Sequence, residues 1–219
     1  MKAANSNGTA APPKYFGHAR PEILPFVPEG IKEALDIGCS EGRFGEALQK
    51  ARGCRVTGVE LFPDAAAQAQ TRLHKVFCSS AESFLSYYDG KFDVIFFNDV
   101  LEHLVDPGEH LKACHRLLKS PSGLIIASLP NIRFLFALQE IVFRGDFQYQ
   151  DAGIFDRTHL RFFTCKSMIR LFEESGYEVI RCEGINGLTS RRYTWTNRLT
   201  LRRFEDTLFP QFVAVARLR

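Results

Sequence analysis

The sequence predicts an α/β fold with a parallel sheet and helices on both of its faces. Short apolar runs typical of buried strands alternate along the chain with segments of helical period. One apolar run, Ala34–Ile37, leads through a glycine turn into a helical segment, a layout that presents backbone N–H groups to a nucleotide-type ligand. Such ligands lie at the carboxyl ends of the strands, where Gly38, Glu60 and Asn98 fall.

Length and composition indicate one ordinary domain. The chain has 219 residues and a net charge of +3, too small a charge to indicate a nucleic-acid or membrane partner. We expect residues 1–13 to form a disordered tail and 14–219 a single domain. The most apolar segment, Phe134–Phe143, is too short and too polar to span a bilayer. Six scattered cysteines without metal spacing are typical of a reducing compartment, so we expect a cytoplasmic location.

The glycine turn allows two interpretations. Residues 38–42 match G-x-S-x-G, the nucleophile elbow of hydrolases, but that elbow needs several strands before the serine. Only about one strand precedes Ser40, and no HGGG-type segment is present. The better match is the acidic-x-Gly-x-Gly-x-Gly loop of S-adenosylmethionine (SAM) methyltransferases. The sequence departs from that loop at Ser40, where the middle glycine would stand.

The next strands end in polar residues. Arg55–Val59 is rich in β-branched residues, and Glu60 ends it about 20 residues after the glycine turn, which suits a ribose hydroxyl pair. Val76–Cys78 is the third predicted strand. Phe92–Phe97 is the nearly continuous apolar run expected of a central strand buried on both faces, and Asn98 follows it.

The second half contains an interruption of this alternation. Asp106 and Thr164 are typical helix N-caps, and Gly176 ends the second of these helices. Between them lies a long polar and aromatic loop, residues 145–163, and long loops inside compact domains are usually functional. The remaining predicted elements are an apolar helix near Phe134–Phe143 and the strands Leu124–Ser128, Tyr177–Cys182 and Gln211–Leu218.

The aromatic and charged segment Tyr15–Pro21 near the N-terminus has two interpretations. One is a strap packed on the domain. The other is a lid over a cofactor pocket, with Tyr15 or Arg20 facing the ligand.

Over residues 14–183 the chain resembles class I SAM-dependent methyltransferases. The resemblance rests on the stretches 35–42, 58–60, 92–95 and 99–104. It implies a Rossmann-like three-layer sandwich with a seven-stranded, mostly parallel sheet of order 3-2-1-4-5-7-6, the last strand antiparallel. Residues 156–164 resemble a subgroup often associated with glycosyltransferases and cell-surface polysaccharide synthesis.

The resemblance also implies how SAM is bound. Asp36 and Gly38 would line its methionine end, Glu60 would hold the ribose, and Asn98 would lie beside the methyl donor. Ser80 stands where the family often has an aspartate for the adenine amine, so the Ala81 N–H would serve instead. The predicted cofactor-binding residues are Tyr15, Arg20, Asp36, Gly38, Cys39, Ser40, Gly42, Glu60, Leu61, Ser80, Ala81, Glu82 and Asn98.

The predicted acceptor is a hydroxyl group on a small molecule, most simply a sugar or glycan precursor. One alternative is an RNA ribose 2′-O-methyltransferase whose phosphate contacts are Arg191, Arg192, Arg198, Arg202 and Arg203. Another is a non-catalytic partner protein that keeps the methyltransferase fold. The expected partner is thus a small molecule rather than nucleic acid. A homodimer is a further possibility that the sequence leaves open.

His159 is the candidate catalytic base, because a sugar hydroxyl must lose its proton as the new bond forms. It is also a candidate metal ligand. If the segment after the fourth strand is helical, Asp99, Glu102 and His103 share one face. That spacing resembles the acidic-x-x-Glu-His motif of ubiquinone-pathway O-methyltransferases and of enzymes that methylate the 3′-terminal ribose of small RNAs.

In the RNA enzymes a histidine placed like His159 completes the metal site. The four residues would then hold Mg²⁺ or a first-row metal. The alternative is that Glu102 and His103 only orient the helix and the loop through hydrogen bonds.

Overall fold

The computed structural model describes residues 19–188 and 203–219. Several predictions lie outside these ranges: the disordered tail over residues 1–13, the lid residue Tyr15, and the four arginines at positions 191, 192, 198 and 202. Arg203 is described and is exposed.

Seven strands form a single sheet. They are β1 (Glu33–Ile37), β2 (Arg55–Glu60), β3 (Lys75–Cys78), β4 (Val94–Asn98), β5 (Leu124–Pro130), β6 (Tyr177–Ile185) and β7 (Gln211–Leu218). Their order is β3-β2-β1-β4-β5-β7-β6, and β7 runs antiparallel to both of its neighbours. The predicted fold class, strand order and antiparallel last strand are confirmed.

The helices connect these strands. The α-helices are α1 (Arg43–Arg52), α2 (Pro63–Gln70), α3 (Ala81–Tyr87), α4 (Pro107–Ala113), α5 (Leu135–Leu138) and α6 (Cys165–Glu174). Turns of 3₁₀ helix cover Pro21–Phe26, Leu101–His103, Cys114–Leu117 and Glu205–Leu208. Both predicted caps are present: Asp106 accepts a hydrogen bond from the Glu109 N–H, and Thr164 forms a reciprocal capping box with Ser167.

The core divides into two layers because adjacent residues of a strand face opposite sides of the sheet. Leu35 of β1 and Phe97 of β4 belong to a cluster that also holds Met168 and Phe172 of α6. Ala34 and Phe96 belong to a second cluster, which holds residues of α1 and of the first 3₁₀ turn. Burial on both faces explains why these strands read as continuous apolar runs.

The apolar helix predicted near Phe134–Phe143 is not a core helix. It divides into α5 and a π-helical turn over Gln139–Arg144, and only Ala137 is buried in α5. Phe143 is 82% exposed and Val142 64%. In the described parts of the chain, every helix is too short or too polar to cross a membrane.

Gly58 of β2 allows the loop that follows β1 to pack closely on the sheet. A Cβ atom built there would lie 2.6 Å from Cys39 Sγ and 2.8 Å from Leu73 Cδ1, closer than van der Waals contact permits. We therefore expect Gly58→Ala to lower the free energy of unfolding by about 1–3 kcal/mol, as overpacking does. Chemical denaturation measures this.

Gly108→Ala is the matched control. Gly108 lies in α4, and a Cβ there would make only ordinary contacts, the nearest at 3.4 Å. Alanine is the better helix former, so this change should leave stability equal or raise it by up to about 1 kcal/mol. Equal effects of the two substitutions would show that packing against Cys39 is unimportant.

Candidate functional site

The loop after β1 has an unusual backbone. Gly38, Ser40 and Gly42 have positive φ angles of 73°, 52° and 79°. At Gly38 a Cβ atom would lie 2.5 Å from Val100 Cγ2, so this position also requires the absence of a side chain. Ser40 adopts the left-handed conformation of the glycine that it replaces, and it does so with backbone strain. The loop thus keeps the shape of a glycine-rich cradle despite its departure in sequence.

Glu60 ties this loop to the end of β2. Its carboxylate is buried, and it accepts hydrogen bonds from the Ser40 N–H at 2.7 Å and from the Phe62 N–H at 2.9 Å. A carboxylate offers about four lone-pair sites, so two sites remain for a ligand such as a ribose diol.

Asp36 and Asn98 lie at the carboxyl ends of the adjacent strands β1 and β4. Asp36 is 1% exposed, and burial, reinforced by the charge of Glu60, raises its pKa to about 7. Asn98 lies near enough to oppose part of this shift, although the two side chains do not reach hydrogen-bonding geometry. Both polar atoms of the Asn98 amide are shielded from solvent and lack a hydrogen bond to any described residue.

This combination fits SAM. Orphaned amide atoms, a carboxylate with spare acceptor sites and a cradle that a Cβ would fill are what a polar nucleoside with an amino-acid tail requires. The side chain of Cys39, another predicted contact residue, is instead buried against Gly58 in the core.

The predicted adenine residues lie on the turns that follow β2 and β3. Leu61 is 59% exposed, so its side chain is available as an apolar flank for a base. The Ser80 hydroxyl caps α3 by accepting the Ser83 N–H at 3.1 Å. Ala81 is the first residue of that helix, so its N–H has no partner within the helix. Glu82 is exposed on the same turn.

Arg20 lies in a partly buried network of hydrogen bonds. Its guanidinium contacts Glu22 at 2.8 Å, Asp99 at 2.5 Å and the Ser128 hydroxyl at 3.0 Å. Gln211 of β7 also donates to Asp99, at 3.0 Å. Arg20 therefore anchors the described end of the predicted segment Tyr15–Pro21 to the domain, and residues 15–18 lie outside the described ranges. Sequence reasoning missed Ser128 and Gln211, although Ser128 also lies near the carboxyl end of a parallel strand.

The predicted metal site assumed that Asp99 lies on a helix with Glu102 and His103, and this assumption is wrong. Only Leu101–His103 forms a turn of 3₁₀ helix, and Asp99 has a φ of 56°. Its carboxylate is consequently held by the Arg20 network. The structure instead groups three of the four predicted ligands, Glu102, His103 and His159, whose ligand atoms all lie within 4.8 Å of one another.

The long loop reaches this cluster through main-chain hydrogen bonds. The carbonyl oxygen of Glu102 accepts the N–H groups of Leu160 at 2.8 Å and Arg161 at 3.0 Å. The loop has its own internal brace, since buried Asp156 accepts hydrogen bonds from the N–H and the hydroxyl of Thr158. These bonds place His159 over the turn.

The orientation of both imidazoles follows from their carbonyl partners. His159 Nδ1 lies 3.1 Å from the Ile154 carbonyl oxygen, and His103 Nδ1 lies 3.2 Å from that of Thr158. A carbonyl only accepts, so in each ring Nδ1 carries the proton. His159 Nε2 then faces Glu102 Oε1 at 3.9 Å.

Within this cluster, Glu102 is a buried carboxyl group with a strongly shifted pKa. It is 1% exposed, and its carboxylate oxygens have no hydrogen-bond partner among the described residues. Burial, together with the charge of Asp99, raises its pKa well above the ordinary value. Burial and the proximity of His159 lower the pKa of His103. A proton or a bound cation would satisfy this carboxylate.

Comparison with known proteins decides the family. The family model described as a methyltransferase domain matches residues 13–181, which is more than half of the chain. The chain belongs to this family.

Curated relatives include two named ubiquinone biosynthesis O-methyltransferase. The one from Pseudomonas aeruginosa (strain UCBPP-PA14) is 36% identical over 118 residues, which cover 49% of each chain. The one from Thiobacillus denitrificans is 28% identical over 179 residues, or 79% of this methyltransferase-family chain and 75% of the relative. The chain spans about half the length of the first relative.

A solved structure agrees in fold. The SAM-dependent methyltransferase from Archaeoglobus fulgidus superposes with a TM-score of 0.69 at 21% identity and covers 90% of this chain and 91% of that one.

The raised pKa of Asp36 predicts how stability depends on pH. The folded state binds a proton more tightly than the unfolded state, so stability should fall as pH rises from about 4 to about 7. We expect Asp36→Asn to be more stable than the wild type at pH 8. Its stability should also fall less with rising pH, by about 1.4 kcal/mol for each pH unit between the unfolded-state and folded-state pKa of Asp36. Urea titrations at pH 5 and pH 8 measure this.

Asp93→Asn provides a control of opposite sign. Asp93 accepts the N–H groups of Lys32 and Glu33 and pairs with Lys119, and these contacts lower its pKa despite partial burial. Its replacement should destabilise the protein at pH 8. An Asp36→Asn variant that loses stability at pH 8 would contradict the assignment of a buried, uncompensated charge.

Proposed function

We propose that this chain transfers the methyl group of SAM to a hydroxyl group of a small molecule. Family membership supports methyl transfer, and the names of the relatives support an oxygen acceptor. The observation that carries the proposal is the meeting of a strained glycine-type loop, the bridging carboxylate of Glu60 and the orphaned amide of Asn98.

Each group has a distinct part in holding SAM. The remaining acceptor sites of Glu60 suit the ribose hydroxyls, and the cradle around Gly38 admits the methionine end to the main chain. Asn98 offers a donor and an acceptor at the end of β4. When bound, SAM supplies a methyl group on a sulfonium centre that an oxygen nucleophile displaces. The protein mainly holds donor and acceptor in line.

His159 is the proposed base for the acceptor hydroxyl. Its Nδ1 proton is engaged by the Ile154 carbonyl, which leaves the lone pair on Nε2 as the proton acceptor. Glu102 Oε1 lies 3.9 Å from Nε2, so an imidazolium formed at His159 would favour the ionised form of this buried carboxyl.

A divalent metal is a second arrangement for the same residues. Glu102, His103 and His159 combine one carboxylate and two imidazoles, donors that suit Mn²⁺, Fe²⁺ or Zn²⁺ better than Mg²⁺. A metal held there would acidify the acceptor hydroxyl and satisfy the buried carboxylate.

The acceptor class has two candidates. The predicted one is a sugar or glycan precursor, which rests on the likeness of residues 156–164 to a polysaccharide-associated subgroup. The other is a hydroxyl on an aromatic precursor such as a phenol, because the relatives are named for O-methylation in ubiquinone biosynthesis. Aromatic rings on the long loop suit either, since Phe147 packs edge-to-face on Tyr149, Phe155 and Phe162.

Cofactor binding is tested by calorimetric titration with S-adenosylhomocysteine. Glu60→Ala removes the acceptors for the ribose and for the Ser40 N–H, so we expect at least tenfold weaker binding. Glu178→Gln is the control, because Glu178 pairs with Arg217 on the surface of the last strands and should leave affinity unchanged. A folded wild type that fails to bind would overturn the cofactor assignment.

Methyl transfer is tested with labelled SAM and two sets of acceptors, sugar nucleotides and catechol-type phenols. His159→Ala should retain binding of S-adenosylhomocysteine yet lose roughly 100- to 10,000-fold in rate with the preferred acceptor. His115→Ala is the control, since His115 bonds the Ser175 carbonyl near α6.

The same assay distinguishes His159 as a catalytic base from a metal site at Glu102, His103 and His159. Activity that a chelator abolishes and Mn²⁺ or Zn²⁺ restores would favour the metal arrangement, and Glu102→Gln should then lose the metal response. Chelator-resistant activity with a slow His159→Ala variant would favour the base. Labelling of RNA alone, or of no acceptor despite binding, would contradict the small-molecule proposal.

A further inference from the structure

Two of the six cysteines lie side by side in the folded chain. Cys165 is the first residue of α6, and Cys182 lies in β6, with their sulfur atoms 3.3 Å apart. Both are free thiols and both are partly exposed. The scattered spacing of the cysteines in the sequence predicts no such pair, because the two lie 17 positions apart.

An irregularity in β6 brings the two thiols together. The pairing of β6 with β7 shifts between Val179 and Arg181, as in a β-bulge. Without the extra residue, Arg181 would share the face of Tyr177 and Val179, since side chains alternate along a strand. With it, Cys182 joins that face and packs at the edge of the core layer that contains α6. Arg181 faces the other side, where it lies over the Phe26 ring.

The two thiols differ in their tendency to ionise. A hydrogen bond from Cys182 lowers the pKa of Cys165 to about 7, whereas the same interaction and burial raise the pKa of Cys182. The position of Cys165 in the first turn of a ten-residue helix also favours a thiolate. Cys165 therefore has the character of an attacking thiol and Cys182 that of a resolving thiol.

We propose that Cys165 and Cys182 form a site of reversible thiol oxidation, with a low-molecular-weight disulfide such as glutathione disulfide as the oxidant. The Cys165 thiolate attacks one sulfur of the oxidant, and the first glutathione leaves as a thiolate. Cys182 then gives up its proton and attacks the Cys165 sulfur, and the second glutathione leaves. Two protein thiols and one glutathione disulfide become one protein disulfide and two glutathione thiols, so electrons and protons balance.

The bond would act at the base of the loop that carries His159. Cys165 follows Phe163 and the helix cap Thr164, and the Phe163 carbonyl accepts the Ile132 N–H at 2.9 Å. A disulfide would join this end of residues 145–163 covalently to β6. It would also restrict the unfolded chain, so the oxidised protein should melt several degrees higher than the reduced protein.

The test is a peptide map of the whole protein after exposure to glutathione disulfide. Trypsin cleaves after Arg161, Lys166, Arg181 and Arg191, which releases each cysteine on its own peptide. We expect the peptides 162–166 and 182–191 to appear as one species lighter by two hydrogen atoms than their sum, and dithiothreitol to separate them. Cys182→Ser should trap glutathione on Cys165, and Cys165→Ser should leave Cys182 almost unmodified.

Cys78→Ser is the matched control, because Cys78 is the exposed cysteine among the six and should not affect the cross-link. The cross-linked peptide from the wild-type protein tests the proposal even if a variant misfolds. A glutathione adduct that persists on Cys165, modification confined to Cys78, or an unmodified protein under conditions that oxidise a free dithiol would each overturn the proposal.

Discussion

The buried carboxylate of Glu60 is the contact on which the candidate pocket depends. It holds the N–H of Ser40 and the N–H of Phe62 together, so one side chain sets the distance between the loops that follow β1 and β2. The left-handed conformation of Ser40 is sustained by this bond and by the close approach of Cys39 to Gly58. A strained loop persists where its surroundings over-determine it, and here the surroundings are a carboxylate and a missing side chain.

Negative charge gathers at the same edge of the sheet. Asp36, Glu60, Asp99 and Glu102 all lie near the ends of β1, β2 and β4, and burial raises the pKa of Asp36 and Glu102. Arg20, in the segment before β1, opposes this negative charge. It pairs with Asp99, and its positive charge partly offsets the rise in the pKa of Asp36 and of Glu102. An edge that is short of positive charge is a favourable place for a sulfonium or a metal cation.

The histidine cluster and the thiol pair are connected by one loop. Residues 145–163 begin after the exposed π-helical turn, place His159 near Glu102 and end at the cap of α6, beside Cys165. The loop is fixed to the turn after β4 by main-chain bonds to Glu102 and to the segment after β5 by the Phe163 carbonyl. A disulfide between Cys165 and Cys182 would therefore form beside the Phe163 attachment of the loop that carries the proposed base.

The sequence by itself determined the class of fold, the seven strands and the positions of Asp36, Gly38, Glu60 and Asn98, because hydrophobic period and the ends of parallel strands are local properties. The strand order came from the family resemblance. The grouping of His159 with Glu102 also came from that resemblance. Only the tertiary structure decided that Asp99 pairs with Arg20 and that Cys165 meets Cys182. A positive φ at Asp99 and a bulge in β6 redirect these side chains, and neither irregularity has a signature in residue spacing.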